Sequence, residues 1–284
     1  SSLFFFMMKN IQEITSAANP LIRLTSAVVH THRRAAKEGL FTVEGLRLAE
    51  TAAFSDWKIR HVLVTERALS GERTRALMDT LIARGTNAAC VTEAIFSTIA
   101  ETEHPQGIVL LMERKRDVLL DALCVRGQAD APLCIALDRV QDPGNVGTIL
   151  RTADAVGASA VILLRGSADV YSGKVIRATM GSLFHIPFAE GISAEELIRF
   201  AGSEGMDLLA AACDANAKPH FSADLCRPAI IVFGNEANGV SEEILTAAEP
   251  VYIPMRGRAE SLNVATAATA VLYEALRQRF CTQT

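Results

Sequence analysis

Ile253-Pro254-Met255-Arg256-Gly257-Arg258-Ala259-Glu260-Ser261-Leu262-Asn263-Val264-Ala265 decides how the rest of this sequence is read. An apolar run ends at Ile253 and a polar loop follows. An Ala-rich stretch then continues as a predicted helix from Leu262 to Arg279. Ser261 and Asn263 stand two apart at its entry. The first turn of a helix leaves its N–H groups without intrahelical partners, so hydroxyl and amide side chains are favoured there. Taken alone, Ser261 is an N-cap on a buried helix, in a polar recess walled by Ile253, Leu262 and Val264.

Two upstream segments share this character. One runs from Asp138 to Thr152 and contains Asn145-Val146-Gly147-Thr148-Ile149-Leu150-Arg151. The other is Val232-Phe233-Gly234-Asn235-Glu236-Ala237-Asn238-Gly239-Val240-Ser241. Each follows an apolar, strand-like run and opens a helix-like run. Parallel sheets bind ligands beyond the carboxyl ends of their strands, so three such loops point to one site.

In chain order the three segments read N-x-G-x-x-x-R, G-N-E-x-x-G and I-P-M-x-G-x-x-E-S-L-N-V-A. This set resembles the SpoU (TrmH-like) branch of the SPOUT RNA methyltransferases and spans about half of the chain. The resemblance implies S-adenosyl-L-methionine as methyl donor, an RNA ribose 2′-hydroxyl as acceptor, a trefoil-knotted cofactor site and a homodimer. It assigns catalysis to Asn145, Arg151, Glu236, Ser261 and Asn263. It assigns the cofactor to Gly234, Asn235, Gly239, Ile253, Met255 and Leu262.

Chemistry gives these positions their own readings. Transfer from a sulfonium to a hydroxyl needs donor and acceptor in contact, and negative charge developing on oxygen must be stabilised. A guanidinium does not deprotonate near neutrality, so Arg151 is expected to grip a phosphate and favour the alkoxide rather than act as base. The bland alternative pairs it with Asp154. Glu236 can orient Asn145, Arg151 or Asn263, or take up a proton; alternatively it is a solvated loop residue. Asn263 is expected to hold Glu236 or Asn145. Ile253 and Leu262 can equally be core, and Gly234 and Gly239 can be a tight turn.

The 284 residues are 50% hydrophobic with a net charge of −4. That balance does not favour nucleic acid as a partner, but it is uneven. Residues 1–112 hold twelve Lys+Arg against eleven Asp+Glu, so the acidic excess lies in the later part. The densest basic cluster is Arg33, Arg34 and Lys37, beside His30 and His32. With Gly39-Leu40-Phe41-Thr42-Val43-Glu44-Gly45 it resembles the N-terminal substrate-recognition domain of SpoU-type enzymes, which implies a ribosomal-protein-like RNA-binding fold. The cluster is otherwise a solvated helix end.

The six cysteines are scattered without C-x-x-C pairing, so reduced thiols and no metal are expected, in a soluble, cytoplasmic protein. The expected fold class is α/β: a C-terminal, mostly parallel sheet with helices on both faces, preceded by a small α/β domain. Residues 1–8 are expected to be a cloning remnant or disordered, 9–112 the RNA-recognition domain, 113–130 a linker and 131–284 the methyltransferase domain. In the first domain a helix is expected from Pro20 to Arg34 or Lys37 and another over 92–100, and the run Glu113–Asp117 is expected to be solvated. A nicotinamide-dependent dehydrogenase fails for want of G-x-G-x-x-G after the first strand and an acid after the second. Ribosomal RNA is favoured as substrate. Transfer RNA, or a catalytically silent RNA-binding homologue, is the alternative.

Overall fold

The computed structural model describes residues 11–115, 120–123, 131–212 and 217–281. The expectations for residues 1–8 and for most of the linker lie outside them. The chain divides into two compact units. The first takes residues 11–115 together with Tyr171–Arg177, and the second takes the rest.

The first unit is built on a five-stranded sheet in the order β1 (Ile11–Ile14), β4 (Asn87–Val91), β3 (Ile59–Thr65), β5 (Ile108–Glu113), β2 (Leu40–Glu44). The β1–β4 and β4–β3 pairs are parallel, and β5 runs antiparallel to both β3 and β2. Helix α1 (Pro20–His30) starts as the sequence predicts, with Asn19 accepting from the Leu21 amide at 2.8 Å and proline at the first helical position. It stops earlier than expected. Thr31 adopts φ −135°, and a separate helix α2 (His32–Glu38) follows, closed by Gly39 at φ 65°. The β-branched run Val28-Val29 and Thr31 lowers helix propensity at this break. Helices α3 (Leu46–Ala53), α4 (Glu66–Leu69) and α5 (Glu72–Ala83) surround the sheet, and the helix expected over 92–100 is the single turn α6 (Glu93–Phe96). The described part of the charged run, Glu113–Lys115, is pinned rather than merely solvated, and the rest lies outside the described residues. Glu113 pairs with Arg60 at 2.7 Å and Lys58 at 2.9 Å. Arg114 Nε donates to the Leu40 carbonyl and its guanidinium lies 4.6 Å above the Tyr171 ring, while Lys115 lies 4.6 Å above the Trp57 ring.

The second unit is a seven-stranded parallel sheet. Its order is β10 (Lys218–Pro219), β12 (Glu249–Tyr252), β9 (Asp207–Ala211), β11 (Ala229–Gly234), β6 (Leu133–Asp138), β7 (Ala160–Leu164), β8 (Phe188–Ile192). Every neighbouring pair in it is parallel. Its central strands β6, β7 and β11 are buried on both faces, as a covered parallel sheet demands. Cys134, Ala136, Ile230 and Val232 join the core with Leu197 and Phe200 of α9 (Ala194–Glu204) and Ile244 of α10 (Glu242–Ala247). The alternate residues meet α7 (Pro143–Ala155) and α11 (Val264–Cys281), which pack against β7, β11 and each other. Helix α8 (Gly173–Thr179) lies between β7 and β8 in the chain. The Ser193–Glu196 capping box at the start of α9 is present in both directions. Strands β6, β11 and β12 end at Asp138, Gly234 and Tyr252, so the three loops singled out in the sequence leave one edge of this sheet.

Candidate active site

Asn145 belongs to the first turn of α7. Asp142 caps that helix, its Oδ1 accepting from the Asn145 amide at 2.8 Å. The Asn145 side chain faces two other loops. Its Nδ2 donates to Glu236 Oε1 at 2.9 Å, and its Oδ1 accepts from Asn263 Nδ2 at 2.9 Å. Asn263 is committed at its other end as well, because its Oδ1 accepts from the amides of Ala265 at 2.9 Å and Thr266 at 3.2 Å. Asn263, not Ser261, is therefore the N-cap of α11. An amide side chain can accept from the helix end and donate elsewhere at once, which a hydroxyl does less well. Ser261 is exposed and makes no hydrogen bond among the described residues.

Glu236 sits in a turn closed by Asn235 and Gly239, whose amides and carbonyls exchange hydrogen bonds at 3.0 and 2.8 Å. Gly239 takes φ 66°, and a Cβ on Gly234 would stand 2.1 Å from the Gly239 carbonyl carbon, so the turn requires glycine at 234. The Gln141 and Asp142 amides point at the Glu236 carboxylate, each at 3.5 Å. Partial burial pushes this carboxyl up, but hydrogen bonds from Asn145 and from main-chain amides outweigh it and hold it below the ordinary carboxylate range. Glu236 is thus ionised at neutral pH and serves as an acceptor.

Arg151 lies on α7, exposed, with no hydrogen bond or ion pair among the described residues. Asp154, its alternative partner, faces His185 Nδ1 at 3.4 Å instead. Thr152 and Thr269 meet at 3.3 Å between α7 and α11. Ile253 is half-buried, whereas Met255 and Leu262 keep 37% and 38% of their surface exposed beside these polar groups. Two uncovered apolar side chains on the loop that precedes α11 fit a flat, partly polar ring system. Ser241 Oγ is enclosed and finds no partner among the described residues. Asp138 and Arg139, not singled out in the sequence, join the same network: Asp138 accepts from the Ser241 amide at 2.6 Å, and Asn235 Nδ2 donates to the Arg139 carbonyl at 2.8 Å. The signal available for Asp138 was a carboxylate ending an apolar strand.

In the first unit, Arg33, Arg34 and Lys37 are exposed on α2, and Arg34 pairs with Glu38 at 2.8 Å. Among the described residues no group of His, Cys, Asp and Glu is arranged to hold a metal, and no helix is long and apolar enough to cross a membrane.

Comparison with known proteins places the chain in a family. Residues 132–273 match the SpoU rRNA Methylase family, and residues 19–110 match the MRM3-like substrate binding domain. The chain is 33% identical to the 23S rRNA (guanosine(2553)-2′-O)-methyltransferase RlmP of Bacillus subtilis, over 93% of this chain and 98% of that protein. It is 32% identical to a 23S rRNA (uridine(2479)-2′-O)-methyltransferase of Streptomyces viridochromogenes, over 96% of this chain and 94% of that one. An AdoMet-bound rRNA methyltransferase from Sinorhizobium meliloti superposes with a TM-score of 0.83 at 34% identity, covering 94% of this chain and 98% of that one. With whole-length similarity at this level and the Asn145–Glu236–Asn263 network in place, the chain belongs to the SpoU rRNA methylase family of RNA 2′-O-ribose methyltransferases, whose methyl donor is S-adenosyl-L-methionine.

Proposed function

We propose that this protein methylates a ribose 2′-hydroxyl of 23S ribosomal RNA, with residues 9–112 recognising the RNA and residues 131–284 carrying the chemistry. The observation that carries the reading is the hydrogen-bonded chain Glu236–Asn145–Asn263 across three loops, with Arg151 unpaired on the helix that bears Asn145. S-adenosyl-L-methionine, when bound, supplies an electrophilic methyl group. Gly234, Asn235, Gly239, Ile253, Met255 and Leu262 are the residues proposed to hold it, with the exposed faces of Met255 and Leu262 against its adenine. Asn145 is fixed at both ends of its amide and so costs little reorganisation when substrate arrives. Arg151 offers a planar, permanently charged fork to the target phosphate and to the oxygen as it loses its proton. Ser261, exposed beside Leu262, is free to hydrogen-bond the ribose or the cofactor.

The first unit supports RNA capture through Arg33, Arg34 and Lys37. Assembly as a homodimer in the cytoplasm is part of the proposal. Ala265, Ala268, Val271 and Leu272 of α11 are buried within the unit and give nothing to a partner, but Tyr273 and Phe280 on the same helix, with Phe221 nearby in sequence to the buried Leu225, are exposed large hydrophobics. Incubating the full-length protein with labelled S-adenosyl-L-methionine and ribosomal RNA, then digesting to nucleosides, tests the function. Label confined to one 2′-O-methylnucleoside supports it; label on a base nitrogen, or none despite cofactor binding, rejects it. Light scattering at micromolar concentration tests the dimer, and a monomer mass rejects it.

A further inference from the structure

Asp138 closes β6 and is 2% exposed. A carboxylate so enclosed needs donors on both oxygens. Arg139 Nε reaches Oδ1 at 2.9 Å, Arg139 Nη2 reaches Oδ2 at 3.3 Å, and the Ser241 amide reaches Oδ2 at 2.6 Å. Arg139 takes φ 58°, a left-handed conformation that costs free energy for any residue with a Cβ. Such strain persists only where surrounding contacts over-determine it. They do so here. The Arg139 carbonyl accepts from Asn235 at 2.8 Å, and its Nη2 lies 3.4 Å from the Gly239 carbonyl. On the other side, a Cβ on Gly166 would stand 3.2 Å from Arg139 Cγ, and the Ala168 amide donates to the Val140 carbonyl at 2.9 Å.

Asn235 and Gly239 are the two ends of the turn that carries Glu236. Beyond the strand ladder and the bonds of Glu236 itself, the hydrogen bonds between the first and second loops, among the described residues, run through Asp138 or Arg139. We propose that Asp138 and Arg139 form a latch that positions Glu236, and through it Asn145, for methyl transfer. The latch touches no reacting group, so both are positioning residues, and the proposal rests on the functional reading above.

Asp138→Asn keeps the side-chain shape and an acceptor for Ser241 but removes the charge that holds the guanidinium. Arg139→Gly relaxes the backbone, removes the guanidinium and keeps the carbonyl that accepts from Asn235. In single-turnover methyl transfer by the full-length protein, each is expected to lower the rate about tenfold, the size of coupling seen between residues of one polar network, with the half-saturating RNA concentration unchanged. In a Glu236→Gln background, Arg139→Gly is expected to add less than about twofold, because a latch acting through Glu236 has nothing left to position. A general structural defect would lower the rate equally in both backgrounds, and that result, or parental rates in both single variants, overturns the proposal. Hydrogen exchange gives a readout that needs no activity: the Gly239 amide should lose protection in Asp138→Asn, and unchanged protection overturns the latch as well. Calorimetry of the parent with S-adenosyl-L-methionine separates the two levels, since no binding by the parent sinks the functional reading while exchange still decides the latch.

Discussion

At the carboxyl edge of the second unit's sheet, Asn145 is bound to Glu236 and Asn263, Asp138 and Arg139 hold the turn that carries Glu236, and Arg151 has no partner among the described residues. On α2 of the first unit, the basic side chains stand outward and one of them, Arg34, is neutralised by Glu38 one turn away. The first arrangement fixes a polar frame and leaves the Arg151 guanidinium, among the described residues, without a partner. The second spreads charge over solvent, where individual pairs contribute little and salt screens them. Under the proposed function, precision falls to the former and loose capture to the latter, so damage to each should register in a different measurement.

The largest effect expected from breaking the comparison is at its unpaired cation. Arg151→Ala should lower single-turnover methyl transfer roughly a hundredfold or more, as loss of a charge-stabilising donor does, with cofactor affinity unchanged in calorimetry. Arg151→Lys should recover little, because a point charge lacks the planar fork. A smaller loss, roughly ten- to a hundredfold for a hydrogen bond to a charged acceptor, is expected for Glu236→Gln. The Glu236 carboxyl is held below its ordinary range, so it stays ionised from pH 5 to 8 and its own titration should not gate the rate there. A pH–rate limb inside that window that vanishes in Glu236→Gln would contradict this.

The first unit should answer only in affinity. Arg33→Glu with Arg34→Glu is expected to weaken RNA binding by up to about tenfold at moderate salt and to flatten its salt dependence, leaving the saturated rate untouched. Unchanged affinity in filter binding would move the RNA footprint off α2. The smallest effect lies outside both regions. Glu274 is held down to about 2, first by hydrogen bonds from Arg277, with burial opposing and Gln278 assisting. Its contribution to stability is present above the ordinary carboxylate value, about 4.3, and is lost as pH falls toward 2. Glu274→Gln should therefore lower Tm by a few degrees at pH 7, with the difference from the parent shrinking below about pH 4.

What the sequence made legible follows the same division. Apolar runs gave the major strands of both units, because a two-faced parallel sheet leaves an unmistakable stretch such as Leu133–Leu137. Phe188–Ile192 leaves no such stretch because Glu190 and Gly191 interrupt it, and Lys218–Pro219 is too short to make a pattern. The neighbours of β12 could not be read at all, since strand order is decided by packing remote in sequence. At the site, spacing brought Asn145, Glu236 and Asn263 under suspicion together, but it misassigned the helix cap to Ser261. Only the three-dimensional placement of Asn145 gives the Asn263 amide something to donate to. Asp138 and Arg139 went unnoticed because the pair forms between consecutive residues on a left-handed backbone that no side-chain pattern announces.

On this reading, a fixed polar frame and the free Arg151 guanidinium together transfer a methyl group to ribose. The most direct test is single-turnover transfer to ribosomal RNA by the parent and by Arg151→Ala, with products resolved as nucleosides and cofactor binding measured on the same samples. The expected result is a single 2′-O-methylnucleoside from the parent, and from Arg151→Ala the same product at least about a hundredfold more slowly with equal cofactor affinity. Equal rates from the two proteins, or methyl groups on a base, would contradict it.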